Sequence, residues 1–333
     1  MRVKELRLAL VCYGGVSLAV YMHGITKEVW KLLQASRAVA DGSGDAGLDD
    51  SARVYRALLD NLGDVIRVRV LTDIVAGASA GGINGVFLAH AMATGQSMEP
   101  LRTLWLEGAD VETLLDPAAR PSSAMAKMWM APFTWAALRG RQDSVDELVG
   151  APARDEVRRK LGRFVRSRWF EPPFGGETFT GLLLDAFDAM AAAPLGKCLI
   201  PPGLPLDLFV TVTDFQGHPQ RLRLNSPPEV METEHRLVIG FTGRGGEGAA
   251  PIADPAELVF AARATASFPG AFPPFQVKEL DNVLAARGCG WAGREAFLDR
   301  VFPRQRAAGV DPEELVLIDG SVLANAPFRP AIE

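Results

Sequence analysis

The chain has 333 residues, 48% hydrophobic and 23% charged, enough apolar material for a large core; a disordered, collagenous or low-complexity protein is excluded. Against 40 acidic residues stand 35 basic ones, a net charge of −5, so there is no cationic surplus to drive nucleic-acid binding. The three cysteines, Cys12, Cys198 and Cys289, show neither CxxC nor Cys/His spacing, which argues against a disulfide framework or a zinc site and for a reducing, cytoplasmic setting.

The opening residues, MRVKELRLALVCYGG, place basic residues before an apolar run as a secretory signal would, but Glu5, Gly14 and Gly15 interrupt that pattern. They parse better as a buried strand over Leu6–Cys12, a tight turn, and a helix carrying Leu18, Tyr21, Ile25, Val29 and Leu32 at helical spacing. No window reaches the roughly 18 apolar residues that span a bilayer, so a soluble protein, or one peripheral on a membrane, is expected.

Between Asp41 and Asp50, DGSGDAGLDD reads as a surface loop. As a calcium loop it fails, with Ala46 at the turn glycine and Ala52 at the bidentate glutamate. From Arg67 a β-branched run ends near Ala76 in a glycine-rich turn, and a small-residue helix starts at about Ala80.

The stretch from about 97 to 175 has a different texture and reads as a helical insertion. Met98, Trp105, Met125, Met128, Trp129, Met130, Phe133, Trp135, Trp169 and Phe170 crowd into it. Within it, Val157, Leu161 and Val165 mark one helical face among Arg154, Arg158, Arg159, Lys160, Arg163, Arg166 and Arg168. Such a helix either packs through its apolar side or lies on an anionic membrane surface.

Two further strands are expected, DLFVTVTDF over Asp207–Phe215 and EELVLIDGS over Glu313–Ser321, with GRGGEG at 243–248 as a loop between strands. Strands interleaved with helices predict one α/β domain whose sheet is largely parallel and covered on both faces.

Gly77-Ala78-Ser79-Ala80-Gly81 matches GxSxG between a strand and a helix, the setting in which the motif places a nucleophile on a strained turn. Gly77 and Gly81 leave room for the bend, and the following helix aims unpaired N–H groups, that of Ala80 included, where an oxyanion would form. A serine needs a base. One option is a Ser79, Asp214, His235 triad, although the 98 residues after His235 hold no histidine where such a base normally falls. The other is Asp319, which leaves an apolar strand into Gly320; an Asp-Gly pair is also a common way to start a plain turn. Tyr13-Gly14-Gly15-Val16 offers adjacent backbone N–H groups for an oxyanion hole, and a phosphate-loop reading fails for want of GxGxxG or GK[ST].

Together the early glycine loop, GASAGG, ARATASFPGAFPPF over Ala261–Phe275 and the late DGS resemble, in order and from Leu8 to Phe328, the patatin-like phospholipase family. The resemblance implies a three-layer α/β/α sandwich. It implies Ser79 as nucleophile, Asp319 as the base that also activates water, and Gly14, Gly15 and the neighbouring Val16 and Ala80 amides around the oxyanion. No metal or organic cofactor is implied, and the substrate would be a phospholipid or another acyl lipid. This sequence departs from the family's DGGGxRG loop at Tyr13 and Val16 and lacks its arginine. It carries DGS for DGG or DGA, and Asn325-Ala326-Pro327 for Asn-Asn-Pro. The expectation is one patatin-like domain over 1–333, a catalytic fragment of a longer protein or one without the closing helices. A non-catalytic lipid-binding module of the same fold is the competing expectation.

Overall fold

The computed structural model describes residues 3–15, 18–45, 47–63, 65–108, 114, 172–246 and 250–333. Val16, the basic helix and most of the Met/Trp-rich insertion lie outside the described residues; Met98 and Trp105 lie within them and are buried.

Strand β1 (Val3–Cys12) enters the glycine turn and helix α1 (Ala19–Asp41). The acidic loop follows, and at its end Asp49 accepts the Ala52 N–H to cap helix α2 (Asp50–Leu62), which the sequence reading did not anticipate. Strand β2 (Arg67–Ala78) runs directly into α3 (Ser79–Thr94), so the turn between them has no loop residue at all. After α4 (Gly176–Ala192) come β3 (Pro205–Arg223) and β4 (Glu229–Arg244), then α5 (Pro255–Thr265), α6 (Val277–Ala286), α7 (Arg294–Val301) and the three-residue strand β5 (Leu317–Asp319).

The sheet is mixed, in the order β1-β2-β3-β4: β1, β2 and β3 are parallel, and β4 lies antiparallel to β3. Strand β5 also pairs antiparallel with β3. Alternate residues Leu206, Leu208, Val210 and Val212 of β3, with Ile239 and Phe241 of β4, bury one face under the helices. Gly85 brings α3 close to that face: a side-chain carbon there would lie 3.1 Å from Val75. Helices on such a sheet agree with a three-layer α/β/α sandwich.

Two expected boundaries need correction. Only Leu317–Asp319 of the 313–321 run is strand, because Pro312 starts a 3-10 turn and partners exist only from Leu317 onward, namely Phe275, Asp214, Thr213 and Val212. GRGGEG does not join two strands. It begins as β4 ends, and the chain goes on to α5, where Asp254 caps the first turn by accepting the Ala256 N–H.

The register of β3 sets the site. Ala78, the last residue of β2, pairs with Thr211, and the next residue, Val212, pairs with Asp319 of β5. Strand β5 thus occupies the edge that β2 vacates when the chain turns into α3, and their C-terminal ends meet head-on.

Candidate active site

At that junction Ser79 has φ +51°, the one positive value outside glycine among the described residues. A serine pays a strain cost of order 1–3 kcal/mol to stand there, the kind of cost that clusters at functional positions. The surrounding packing holds it in place. The Ser79 N–H donates to Thr265 Oγ1 at 2.8 Å, whose own hydroxyl donates to the Thr211 carbonyl at 2.6 Å. A single threonine on α5 therefore ties the elbow to β3.

The Ser79 hydroxyl donates to Asp319 Oδ2 at 2.6 Å, with Ser79 8% and Asp319 0% exposed. The other carboxylate oxygen, Oδ1, accepts the Ser321 N–H at 2.7 Å. The Asp319 backbone is held on both sides: its N–H donates to the Ser267 carbonyl at 3.1 Å, and its carbonyl accepts from Thr213 Oγ1 at 3.0 Å. Burial pushes the Asp319 carboxyl above its ordinary value, and the bonds from Ser79 and Ser321 pull it part of the way back. A desolvated carboxylate bonded to a serine hydroxyl is chemically a base waiting for that hydroxyl's proton.

The motif glycines are required by contact. A side-chain carbon at Gly77 would stand 2.5 Å from the Gly81 carbonyl oxygen. One at Gly81 would press into the Cys12 carbonyl and lie 2.6 Å from the Tyr13 carbonyl oxygen, and one at Gly320 would overlap the Thr211 carbonyl. These neighbours are all backbone, so they cannot rotate away. Gly81→Ala is expected to cost about 3 kcal/mol of stability, the usual scale of overpacking, and to displace Ser79 from Asp319. Urea unfolding followed with active-site labelling would read both effects.

The histidines are placed elsewhere. His235 Nδ1 bonds the Asp214 backbone oxygen at 2.9 Å and not its carboxylate, which accepts from the Gly217 N–H and Gln305 Nε2, each at 3.0 Å. His218 packs into the same buried cluster beside Gln305; His90 bonds Gln96; His23 is buried against Trp105, and desolvation lowers its pKa to about 4. Among the described residues no histidine hydrogen-bonds Ser79 or Asp319. Ser79, Asp214 and His235 therefore do not form a relay.

Of the glycine loop, Gly14 sits beside the elbow and its N–H donates to Asn325 Oδ1 at 2.7 Å, while Gly15 follows it against Leu18. The Ala80 amide stands in the first turn of α3, where N–H groups have no intrahelical acceptor. Sequence reasoning assigned no role to Thr211, Thr213, Thr265, Ser267 or Asn325. Thr265 and Ser267 fall inside the ARATASFPGAFPPF block, which was the available signal for them.

Close in sequence to the site residues Gly14, Ser267, Ser321 and Asn325 stand Tyr13, Phe268, Val322, Leu323 and Phe328, each two-fifths to one-half exposed, with Tyr13 and Phe328 edge-to-face at 6.0 Å. Among the described residues no helix is long and apolar enough to cross a membrane.

Comparison with known proteins gives a match over residues 10–332 to the family described as Patatin-like phospholipase. The chain is also 29% identical over 282 residues to a protein of Mycobacterium tuberculosis (strain ATCC 25618 / H37Rv) named "Uncharacterized membrane protein Rv3479". The aligned part covers 81% of this chain and 21% of that protein, so the chain spans about a fifth of its relative's length. No solved structure matches.

Proposed function

The chain belongs to the patatin-like phospholipase family, and from that premise we propose that it is a serine lipid acyl hydrolase acting through a Ser79–Asp319 dyad on a phospholipid or another acyl lipid. The observation that carries this reading is the 2.6 Å bond from the buried Ser79 hydroxyl to the buried Asp319 carboxylate. As Ser79 Oγ attacks the ester carbonyl carbon, its proton passes to Asp319 Oδ2 and the carbonyl oxygen takes the negative charge. Backbone N–H groups of the glycine loop and of Ala80 meet that charge. Collapse breaks the bond to the leaving alcohol, which takes the proton from Asp319 and leaves an acyl-serine. Water, giving its proton to Asp319, then attacks the acyl-serine; the fatty acid departs and the proton returns to Ser79. The exposed apolar side chains of Tyr13, Phe268, Val322, Leu323 and Phe328 supply surface for an acyl chain, and with it a means of peripheral contact with a lipid phase.

Incubation with a fluorophosphonate, read by intact mass, is expected to give one adduct that is absent in Ser79→Ala. The labelling rate should rise with pH through a midpoint above the ordinary aspartate value of 3.8, because the base works only when ionised and burial raises its pKa. A folded protein that takes up no label would overturn the reading in favour of a lipid-binding module of the same fold. An adduct that persists in Ser79→Ala would overturn the choice of nucleophile.

A further inference from the structure

Gly14 and Gly15 are the glycine loop's candidate oxyanion donors, but their surroundings differ. A side-chain carbon on Gly14 would stand 2.7 Å from Ser79 Cβ, 2.9 Å from Ser321 Cβ and 2.9 Å from Asn325 Oδ1. Gly14 is therefore wedged between the elbow and the turn that follows Asp319, and its N–H is already bonded to Asn325. The corresponding position on Gly15 touches only Leu18, the next helix's own leading side chain. Among the described residues the Gly15 N–H has no acceptor.

Asn325 is itself firmly placed. It follows Ala324, whose carbonyl accepts from Thr211 Oγ1 at 3.1 Å, and Thr211 is the β3 residue paired with Ala78 at the elbow. The turn that delivers Asp319 begins with the Ser321 N–H on Asp319 Oδ1 and ends with the Asn325 side chain on the Gly14 amide. The seven-residue segment Asp319–Asn325 thus fixes the base at its start and the glycine loop at its end.

Resting on the dyad reading above, we propose that Asn325 is a positioning residue for the oxyanion hole. It takes the Gly14 N–H and clamps the loop against Ser79, so that the donors facing the reacting carbonyl are the Gly15 and Ala80 amides. A clamp and a plug predict opposite signs. If Asn325 merely blocked a Gly14 donor, removing it would free that N–H and raise turnover. If it is a clamp, removal loosens the loop and lowers turnover, because an oxyanion donor out of place typically costs a factor of about 100 or more.

The test uses Asn325→Ala in the whole chain with a soluble short-chain ester and an alkyl boronate that forms a tetrahedral adduct on serine. The expected result is a kcat about 30- to 100-fold lower, KM within threefold of the parent, and boronate affinity weakened by about the same factor as kcat. In parallel, amide hydrogen exchange at Gly14 should speed up at least tenfold in the variant. That readout needs no turnover, so it tests the clamp even if the parent proves inactive and the hydrolase reading falls. Unchanged or raised kcat, a loss confined to KM, or Gly14 exchange equal to the parent's would each overturn the proposal. Should Asn325→Ala not fold, Asn325→Asp keeps an acceptor for the Gly14 N–H and is expected to keep Gly14 protected; fast exchange there in a folded Asp variant would also overturn it.

Discussion

Replacing Asp319 with asparagine is expected to lower turnover by about four orders of magnitude while leaving a protein that melts at a higher temperature than the parent. The activity loss follows from removing the one group among the described residues that hydrogen-bonds the Ser79 hydroxyl, since losing one member of a nucleophile–base set typically costs about 10⁴-fold or more. The stability gain follows from the same burial that makes the base. A carboxyl whose pKa is raised in the folded state favours folding below its unfolded value, and that contribution is lost as pH rises through the folded value. At neutral pH the ionised, fully buried Asp319 is therefore a net burden on the fold. Asparagine has the same shape, its single oxygen can accept the Ser321 N–H while its NH2 donates to Ser79 Oγ, and it carries no charge. Differential scanning calorimetry at pH 7 should show a rise of about 2 °C. The difference should shrink as pH falls through the folded-state value and vanish below the ordinary 3.8. A variant that melts below the parent at pH 7 would contradict this account.

The second large effect lies behind the site. Arg263, on α5, is fully buried and holds Glu279 with two bonds, from Nε at 2.8 Å and from Nη2 at 3.0 Å. Its Nη1 donates to Ser267 Oγ at 2.6 Å and its Nη2 to the Pro273 carbonyl at 3.2 Å, between the rings of Phe272 and Phe275. Arg263→Ala would remove a large side chain and leave Glu279 unpartnered by its cation in a mostly buried setting, which costs about 3–5 kcal/mol. Against a total stability of about 5–15 kcal/mol, that removes a large part of what holds the domain together. Urea unfolding should show the midpoint falling sharply. The double variant Arg263→Met/Glu279→Leu, which removes both charges and keeps the volume, should recover much of the loss. Because the carbonyl of Ser267 receives the Asp319 N–H, Arg263→Ala should also slow fluorophosphonate labelling in the fraction that stays folded. A single variant within 1 kcal/mol of the parent would show that the buried ion pair carries no such weight.

The elbow was legible in the sequence because its geometry leaves a mark on composition: a positive φ at Ser79, with backbone pressed against both neighbouring turns, demands glycine at 77 and 81. The start of β3 was legible from apolar periodicity, since its alternate residues bury one face. The first strand and the helix after it stand where expected, but β1 is exposed from Val3 to Arg7 and buried only at Cys12, and α1 buries His23, Thr26, Trp30 and Leu33 while Tyr21 and Ile25 of the expected face lie exposed. The long arms of β3 and β4 were not. From Gly217 to Arg236 most residues are polar and the few apolar ones, Leu222, Leu224, Val230 and Met231, make no sustained alternation, so the pairing of His218–Arg223 with Glu229–Glu234 is set by the hairpin. The meeting of Asp319 with Ser79 was suggested by family likeness and not by any spacing. What brings them together is the register of three residues of β5 on β3, too short a segment to announce itself. The threonine bonds at 211, 213 and 265 run from hydroxyl to backbone across elements distant in sequence, and such contacts have no period to read.

The head-on meeting of β2 and β5 also has a consequence in time. Ser79 and Asp319 are separated by 240 positions, and at about 5–20 residues per second roughly 12–50 s of translation divides them. Throughout that interval a growing chain carries the serine without the aspartate, and once β3 has been made its edge beside the elbow has no occupant until β5 follows. On the proposed dyad, a hydrolase assembled in this order would stay silent on the ribosome and acquire its chemistry only when β5 docks.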